Sequence, residues 1–182
     1  MKKFILIFTN CVFVSLLMNA QTAYTPIDDG SRVHFVIKNF AIKTGGDFTG
    51  LKGTIKFDPE KYAFSSFDVT VDASTVDTDN SSRDGHLKKA EYFDVDTYKT
   101  LHFKSTKIVK STAEGRFYMY GELTIKAVTK PVEFGFGATA KNGGYVFDGS
   151  FDINRRDFGV GGSSISMADN LTVSLTVFAK SY

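Results

Sequence analysis

Cysteine is nearly missing from this chain of 182 residues: the only one is Cys11, inside an apolar N-terminal run. Met1 to Ala20 reads as a secretory signal. Lys2 and Lys3 form its basic start, Phe4 to Leu17 is mostly apolar, and Ala20 is a small residue before Gln21. Cys11 lies mid-run without small residues in front of it, so cleavage without lipid attachment is expected. The expected division is a signal over 1–20 and one domain over 21–182, periplasmic or secreted. That domain holds no cysteine, so its stability comes from its core and no thiol nucleophile exists.

Excess charge of either sign is missing too. The whole chain carries 22 basic and 20 acidic residues, and loss of Lys2 and Lys3 leaves 20 against 20. This excludes the basic stripe that nucleic-acid binding needs. No run after residue 20 approaches the ~20 apolar residues of a membrane-spanning helix. A G-x-S-x-G nucleophile elbow is lacking as well. The chain has three histidines. His34 and His102 fall on polar strand faces, where exposure is expected, so convergence with His86 on a metal is not. Asp77-x-Asp79 resembles the start of a calcium loop, but Ser82 stands where that loop needs glycine. Gly159-Val160-Gly161-Gly162 lacks the strand-to-helix context and lysine of a phosphate cradle and reads as a connection.

What the chain does have is alternation. Val33, Phe35 and Ile37 alternate with Arg32, His34 and Lys38, the period-2 pattern of a half-buried strand. The same pattern returns around Ile55, Val69, Phe103, Met119, Phe134, Phe147 and Val173. About nine strands are expected, with turns at Gly45-Gly46, Ala113-Glu114-Gly115 and Asn142-Gly143-Gly144. Asp77 to Ser105 is the one stretch without alternation. Asp79 or Asn80 can cap a short helix there, and Leu87, Ala90 and Phe93 share one face.

Sequential hairpins with one apolar face each must close or stack to protect their edges. The short turns favour an all-β, closed antiparallel barrel of about eight strands with a short helical insert, over a two-sheet sandwich. Its inward face is rich in phenylalanine: Phe35, Phe48, Phe57, Phe67, Phe103, Phe117, Phe134, Phe136, Phe147 and Phe151. Such rings either line an apolar tunnel or interlock into a solid core, and composition leaves both open. Arg83 and His86 are candidates to meet a ligand headgroup at the mouth. The plainer reading has Arg83 and Asp84 tie the helix to its surroundings, with Asp94 or Asp157 as partners. A general-base role for His86 has no nucleophile to serve.

Three motifs are more specific. Ser74-Thr75-Val76-Asp77-Thr78 with Arg83-Asp84-Gly85-His86-Leu87-Lys88 and Tyr92-Phe93-Asp94 resembles the helical signature of the YceI-like family. Leu123 to Val132 and Ile153 to Gly161 resemble two further stretches of it, so the resemblance covers nearly all of residues 24–180. It departs at Ala127, where glycine is usual, at Lys99-Thr100, where proline is common, and at Tyr92, one of a usual phenylalanine pair. The resemblance implies a lipocalin-like, bacterial, exported barrel, and the missing nucleophile leads to the expectation that it is not an enzyme. The resemblance also implies an isoprenoid lipid, as a polyprenyl chain or isoprenoid quinone, bound inside the barrel; no resident cofactor or metal is expected from the residues. The alternative is a solid barrel that binds a protein or glycan through its surface, for example at Tyr118 and Tyr120. Homodimerisation is left open.

Overall fold

The structure is a computed structural model that describes residues 21–181, so the expected signal over 1–20 lies outside the described residues. Nine antiparallel strands follow one another: β1 (Ala23–Asn39), β2 (Ile42–Phe48), β3 (Lys52–Lys56), β4 (Ser66–Asp72), β5 (Thr100–Lys110), β6 (Arg116–Ile125), β7 (Val128–Lys141), β8 (Gly144–Asn154) and β9 (Met167–Lys180). Each pairs with the next around the sheet, and β1 closes it on β9 from Thr25↔Lys180 to Asn39↔Met167. β2 and β3 share the other edge of β1, β2 along Val33–Asn39 and β3 along Ala23–Tyr24. They act as one interrupted stave, so nine strands make a closed eight-stave barrel, and the outer edge of β2 makes a single bridge, Asp47↔Asp77.

The interruption has a holder. β1 carries extra residues opposite β9 between Ile27 and Arg32, and Asp28 in that bulge accepts hydrogen bonds from the Gly50 and Leu51 amides at 3.0 and 2.9 Å. A wide bulge bends a strand, which is how β1 serves three partners.

The first hairpin turn is not at Gly45-Gly46. Both glycines lie inside β2, and the turn is Phe40-Ala41, at φ +49° and +63°. Packing explains the glycines. A Cβ on Gly46 would sit 2.5 Å from the Phe35 ring, and one on Gly45 2.7 Å from the His34 ring. Two-residue hairpins of this kind favour Asn-Gly, as found at Asn142-Gly143. Phe40-Ala41 and Lys126-Ala127 put ordinary residues in the left-handed region, at about 1 kcal/mol or more per residue.

Between β4 and β5 the chain crosses the end of the barrel. Asn80 caps the two-turn helix α1 (Ser81–Leu87) by accepting from the Arg83 amide at 3.0 Å. Arg83 and Asp84 do tie the helix down, but to Thr78 rather than to Asp94 or Asp157. Arg83 donates to the Thr78 hydroxyl (2.8 Å) and carbonyl (2.6 Å), and Asp84 accepts from the Thr78 amide (2.9 Å). After α1 the chain turns back, with Phe93 N–H bonded to Leu87 O at 2.9 Å. The Lys126 ammonium clips this roof to the rim through Ala90 O and Gly159 O at 2.8 and 3.0 Å.

Candidate functional site

Inside, the barrel has two unlike halves. At the end near β3, rings from several strands meet on the axis. Phe57, 2% exposed, lies edge-on to Phe117, Tyr145 and Phe147 at centroid distances of 5.2–5.3 Å, and Phe117 stacks on Phe136 at 5.4 Å. Tyr62, from the 3-10 turn Tyr62–Phe64, covers Phe117 from outside at 5.9 Å. This half is a plug, and edge-to-face pairs add about 0.5–1.5 kcal/mol each beyond area burial.

In the other half the inward positions switch to aliphatic residues that do not reach the axis. β9 shows it plainly: Leu171, Val173, Leu175 and Val177 point inward yet are only half-buried, because they face empty space. The void they border, with walls from Val33, Val71, Leu101, Leu123 and Ile153 among others, measures about 210 Å³ as space open to the centre of a water-sized sphere. One water needs roughly 10–15 Å³ on that measure, so this is a designed chamber and no packing defect. Met167 and Val177 both border it, ten residues apart on β9, or roughly 25 Å of depth at about 3.4 Å per residue and a tilt of about 40°.

The ten expected phenylalanines divide between the halves. Phe35, Phe48, Phe103 and Phe151 border the chamber. Phe67, Phe134, Phe136 and Phe147, with Phe103 again, border a second void of about 50 Å³ beneath it. Phe57 and Phe117 face neither and belong to the plug. The floor between chamber and plug is Phe134, stacked on Phe151 at 4.7 Å and tilted against Phe103 at 5.9 Å. The roof is Leu87, Tyr92, Phe93 and Val160, with Phe93 edge-on to Phe48 at 5.3 Å.

Polar groups gather at the rim. Arg83 borders both the chamber and a polar crevice outside it, where Arg32, Asp47 and Asp77 also lie. His86 is not brought there. It is exposed on α1, and Tyr92, whose ring is 6.2 Å from the His86 ring, takes the wall position instead. Two rim residues were not expected. Arg155, 3% exposed, donates to Ala168 O and Val160 O at 2.9 Å and to Asp169 at 2.8 Å. Asn39 holds a buried Oδ1 with no hydrogen-bond partner. The Ile153 to Gly161 motif was the only signal for Arg155. Gly159 to Gly161, read as a plain connection, is anchored: Gly161 N–H bonds Glu91 O at 2.9 Å, and Val160 is buried in the roof.

The histidines on strands are not simply exposed. His34 Nδ1 lies 2.9 Å from Asp47, which also accepts a two-pronged bond from Arg32, and His102 Nε2 lies 2.7 Å from Asp68. Burial pushes the Asp47 carboxyl up, but the bonds from Arg32 and His34 outweigh it and hold it below the usual carboxylate range. Among the described residues no cluster of three or more His, Cys, Asp or Glu could hold a metal ion, and no helix is long and apolar enough to cross a membrane. The chamber can bury an apolar chain and offers hydrogen bonding only at its rim.

Comparison with known proteins agrees with this geometry. A UPF0312 protein of Ectopseudomonas mendocina is 36% identical over 121 residues, covering 63% of each chain, so the match spans just under two thirds of that relative's length. One from Vibrio parahaemolyticus is 30% identical over 136 residues, covering 72% of this chain and 71% of that one. The crystal structure of Burkholderia cenocepacia BcnA matches with a TM-score of 0.77 at 27% identity, over 82% of this chain and 96% of that one. A polyisoprenoid binding domain from Saccharophagus degradans shares the fold alone, with a TM-score of 0.68 at 12% identity over 90% of this chain and all of that one. The YceI-like domain matches residues 24–179, and with these walls, this roof and this closure the chain belongs to the YceI-like family.

Proposed function

We propose that this protein binds an isoprenoid lipid, a polyprenyl chain or an isoprenoid quinone, with the chain in the aliphatic half of the barrel and the headgroup at the rim near Arg83. No bond is made or broken. One observation carries the reading: a chamber of about 210 Å³ with aliphatic and aromatic walls, closed at one end by a phenylalanine plug. An apolar space of this size left empty forfeits contacts on every wall, so its retention favours a guest. The barrel shared with the S. degradans polyisoprenoid binding domain supports the same class of ligand. A signal over 1–20 would deliver the domain to the periplasm or the medium, and the domain over 21–182 carries no cysteine.

The magnitude fits a carrier. Burying roughly 400 Å² of apolar chain at about 25 cal/mol per Å² yields about 10 kcal/mol gross. Association costs of roughly 4–15 kcal/mol oppose it. The net is modest, so cargo can be released. A solid barrel acting through its surface has the empty half of the barrel against it.

The test is organic-solvent extraction of the protein purified from an exporting host, followed by mass spectrometry. The expected result is an isoprenoid lipid in near-stoichiometric amount. Repeated recovery of none, together with failure to take up added isoprenoid quinone, would overturn the reading.

A further inference from the structure

Four large apolar side chains are strongly exposed among the described residues: Phe40 (74%), Ile42 (70%), Phe64 (79%) and Ile165 (107%). Three of them share one place. Phe40 is the tip of the β1–β2 hairpin, Ile42 follows it, and Ile165 precedes Ser166, whose carbonyl accepts from the Phe40 amide at 2.7 Å. Phe64 sits alone at the plugged end, in the turn after β3.

The three lie at the rim of the chamber. Asn39 and Met167, which border it, pair with each other, and Asn39 also pairs with Ile42. Directly opposed residues share a face, so Ile42 prolongs the chamber's own wall past the rim. The inward face therefore continues from the interior, past the polar rim residues Asn39 and Thr44, to an exposed apolar edge.

Two further observations say what covers that edge. The first is conformational. Phe40 occupies a left-handed position at φ +49°, where a bulky residue is a genuine outlier and Asn-Gly is the favoured solution. Turn chemistry does not explain an exposed ring at this tip. The second is charge. Lys38 and Lys43 face each other one step behind the tip, both exposed and in no ion pair among the described residues. Asp47 is engaged with Arg32 and His34, and Asp169 with Arg155 and Arg156, while Asp77 and Asp79 line the crevice beside Lys43 and leave Lys38 on the far strand without an acid in that crevice. An apolar tip backed by an exposed, directly opposed lysine pair is the pattern of an element that dips into a bilayer interface beside anionic headgroups.

We propose that the Phe40–Ile42 hairpin tip and Ile165 dock this barrel on the surface of an anionic lipid bilayer, placing the chamber rim at the level of the acyl chains. The proposal goes beyond the lipid-carrier reading and supplies the route by which a chain passes between bilayer and barrel without crossing water. It commits to a bilayer, because a lipid ligand must come from one and the Lys38–Lys43 pair behind the tip is complementary to anionic headgroups.

Flotation with vesicles of phosphatidylcholine containing phosphatidylglycerol tests the proposal on the mature protein without added isoprenoid. The wild type is expected to float with these vesicles, less at high salt, and weakly with pure phosphatidylcholine. The decisive variant is Phe40→Asn with Ala41→Gly and Ile165→Ser. It installs the favoured turn while removing two apolar anchors, so it should melt at a higher temperature yet lose vesicle binding by roughly a hundredfold. Lys38→Glu with Lys43→Glu should abolish the preference for anionic vesicles and leave quinone uptake in detergent intact. Wild type that does not float overturns the proposal, as does a triple variant that floats as well as wild type. A wild-type dimer that the triple variant dissolves also overturns it and assigns the edge to a second copy. Quinone uptake is measured separately, so failure of docking and failure of the lipid reading are distinguishable.

Discussion

Val173→Phe separates an empty chamber from a filled core. Val173 sits mid-way along the wall that β9 contributes, opposite Phe35 on β1 and Phe151 on β8. A benzyl group in place of an isopropyl group inside a packed core costs typically 1–3 kcal/mol through forced rotamers and backbone shifts. Here about 210 Å³ of free space lies in front of the side chain. The ring enters it without displacing a neighbour, so the stability change should stay below about 1 kcal/mol, or 2–4 °C in Tm for a domain of this size. Ligand binding should suffer instead. The ring takes the room of three or four methylenes, each worth about 0.8 kcal/mol on burial, so affinity for an isoprenoid quinone falls by roughly a hundredfold. Phe57→Ala is the converse control. It opens a hole in the plug, 2% exposed, and should cost about 3–5 kcal/mol while leaving affinity unchanged. Thermal melts and a fluorescence titration read both variants. Val173→Phe that loses more than 2 kcal/mol of stability and keeps its affinity would refute the division of the barrel into chamber and plug.

Ala127→Gly should stabilise the β6–β7 turn by about 0.5–1 kcal/mol, because residue 127 sits at φ +60°, a strained value for alanine, and a melt shows it as a higher Tm. Arg155→Leu should cost about 3 kcal/mol in urea unfolding, since it strands Val160 O and Ala168 O without their donor and leaves Asp169 only Arg156. Arg155→Lys should recover only part, lacking the planar fork. The lowered Asp47 carboxyl contributes stability that is fully present above its unfolded value near pH 4 and is lost as pH falls through the folded value. Urea midpoints measured from pH 5 down to pH 2.5 should therefore fall less steeply in Asp47→Asn.

Alternation along each strand was enough to read the barrel, because inward and outward positions have period two whatever the register. Register itself was not legible where glycine served packing: Gly45-Gly46 looks like a turn until Phe35 and His34 are seen lying over it. The true turn, Phe40-Ala41, carries no turn signal at all. The ten inward phenylalanines were legible as a set, but not their separation into plug and chamber walls. That depends on which rings reach the same height, and Phe57, just past β3, arrives among Phe117, Phe136 and Phe147 only through the closure of the whole sheet. Arg83 at the rim was legible from its motif. Arg155 was obscured because a buried arginine beside a glycine-rich loop looks like surface until its three acceptors are in place.

Diffraction from crystals grown with an isoprenoid quinone tests the central claim most directly. The expected result is continuous density along the chamber between Phe35, Phe103 and Val173, ending at the Phe134 floor, with the headgroup beside Arg83. An empty chamber with quinone bound on the outer face, or side chains rotated in to fill the space, would contradict it.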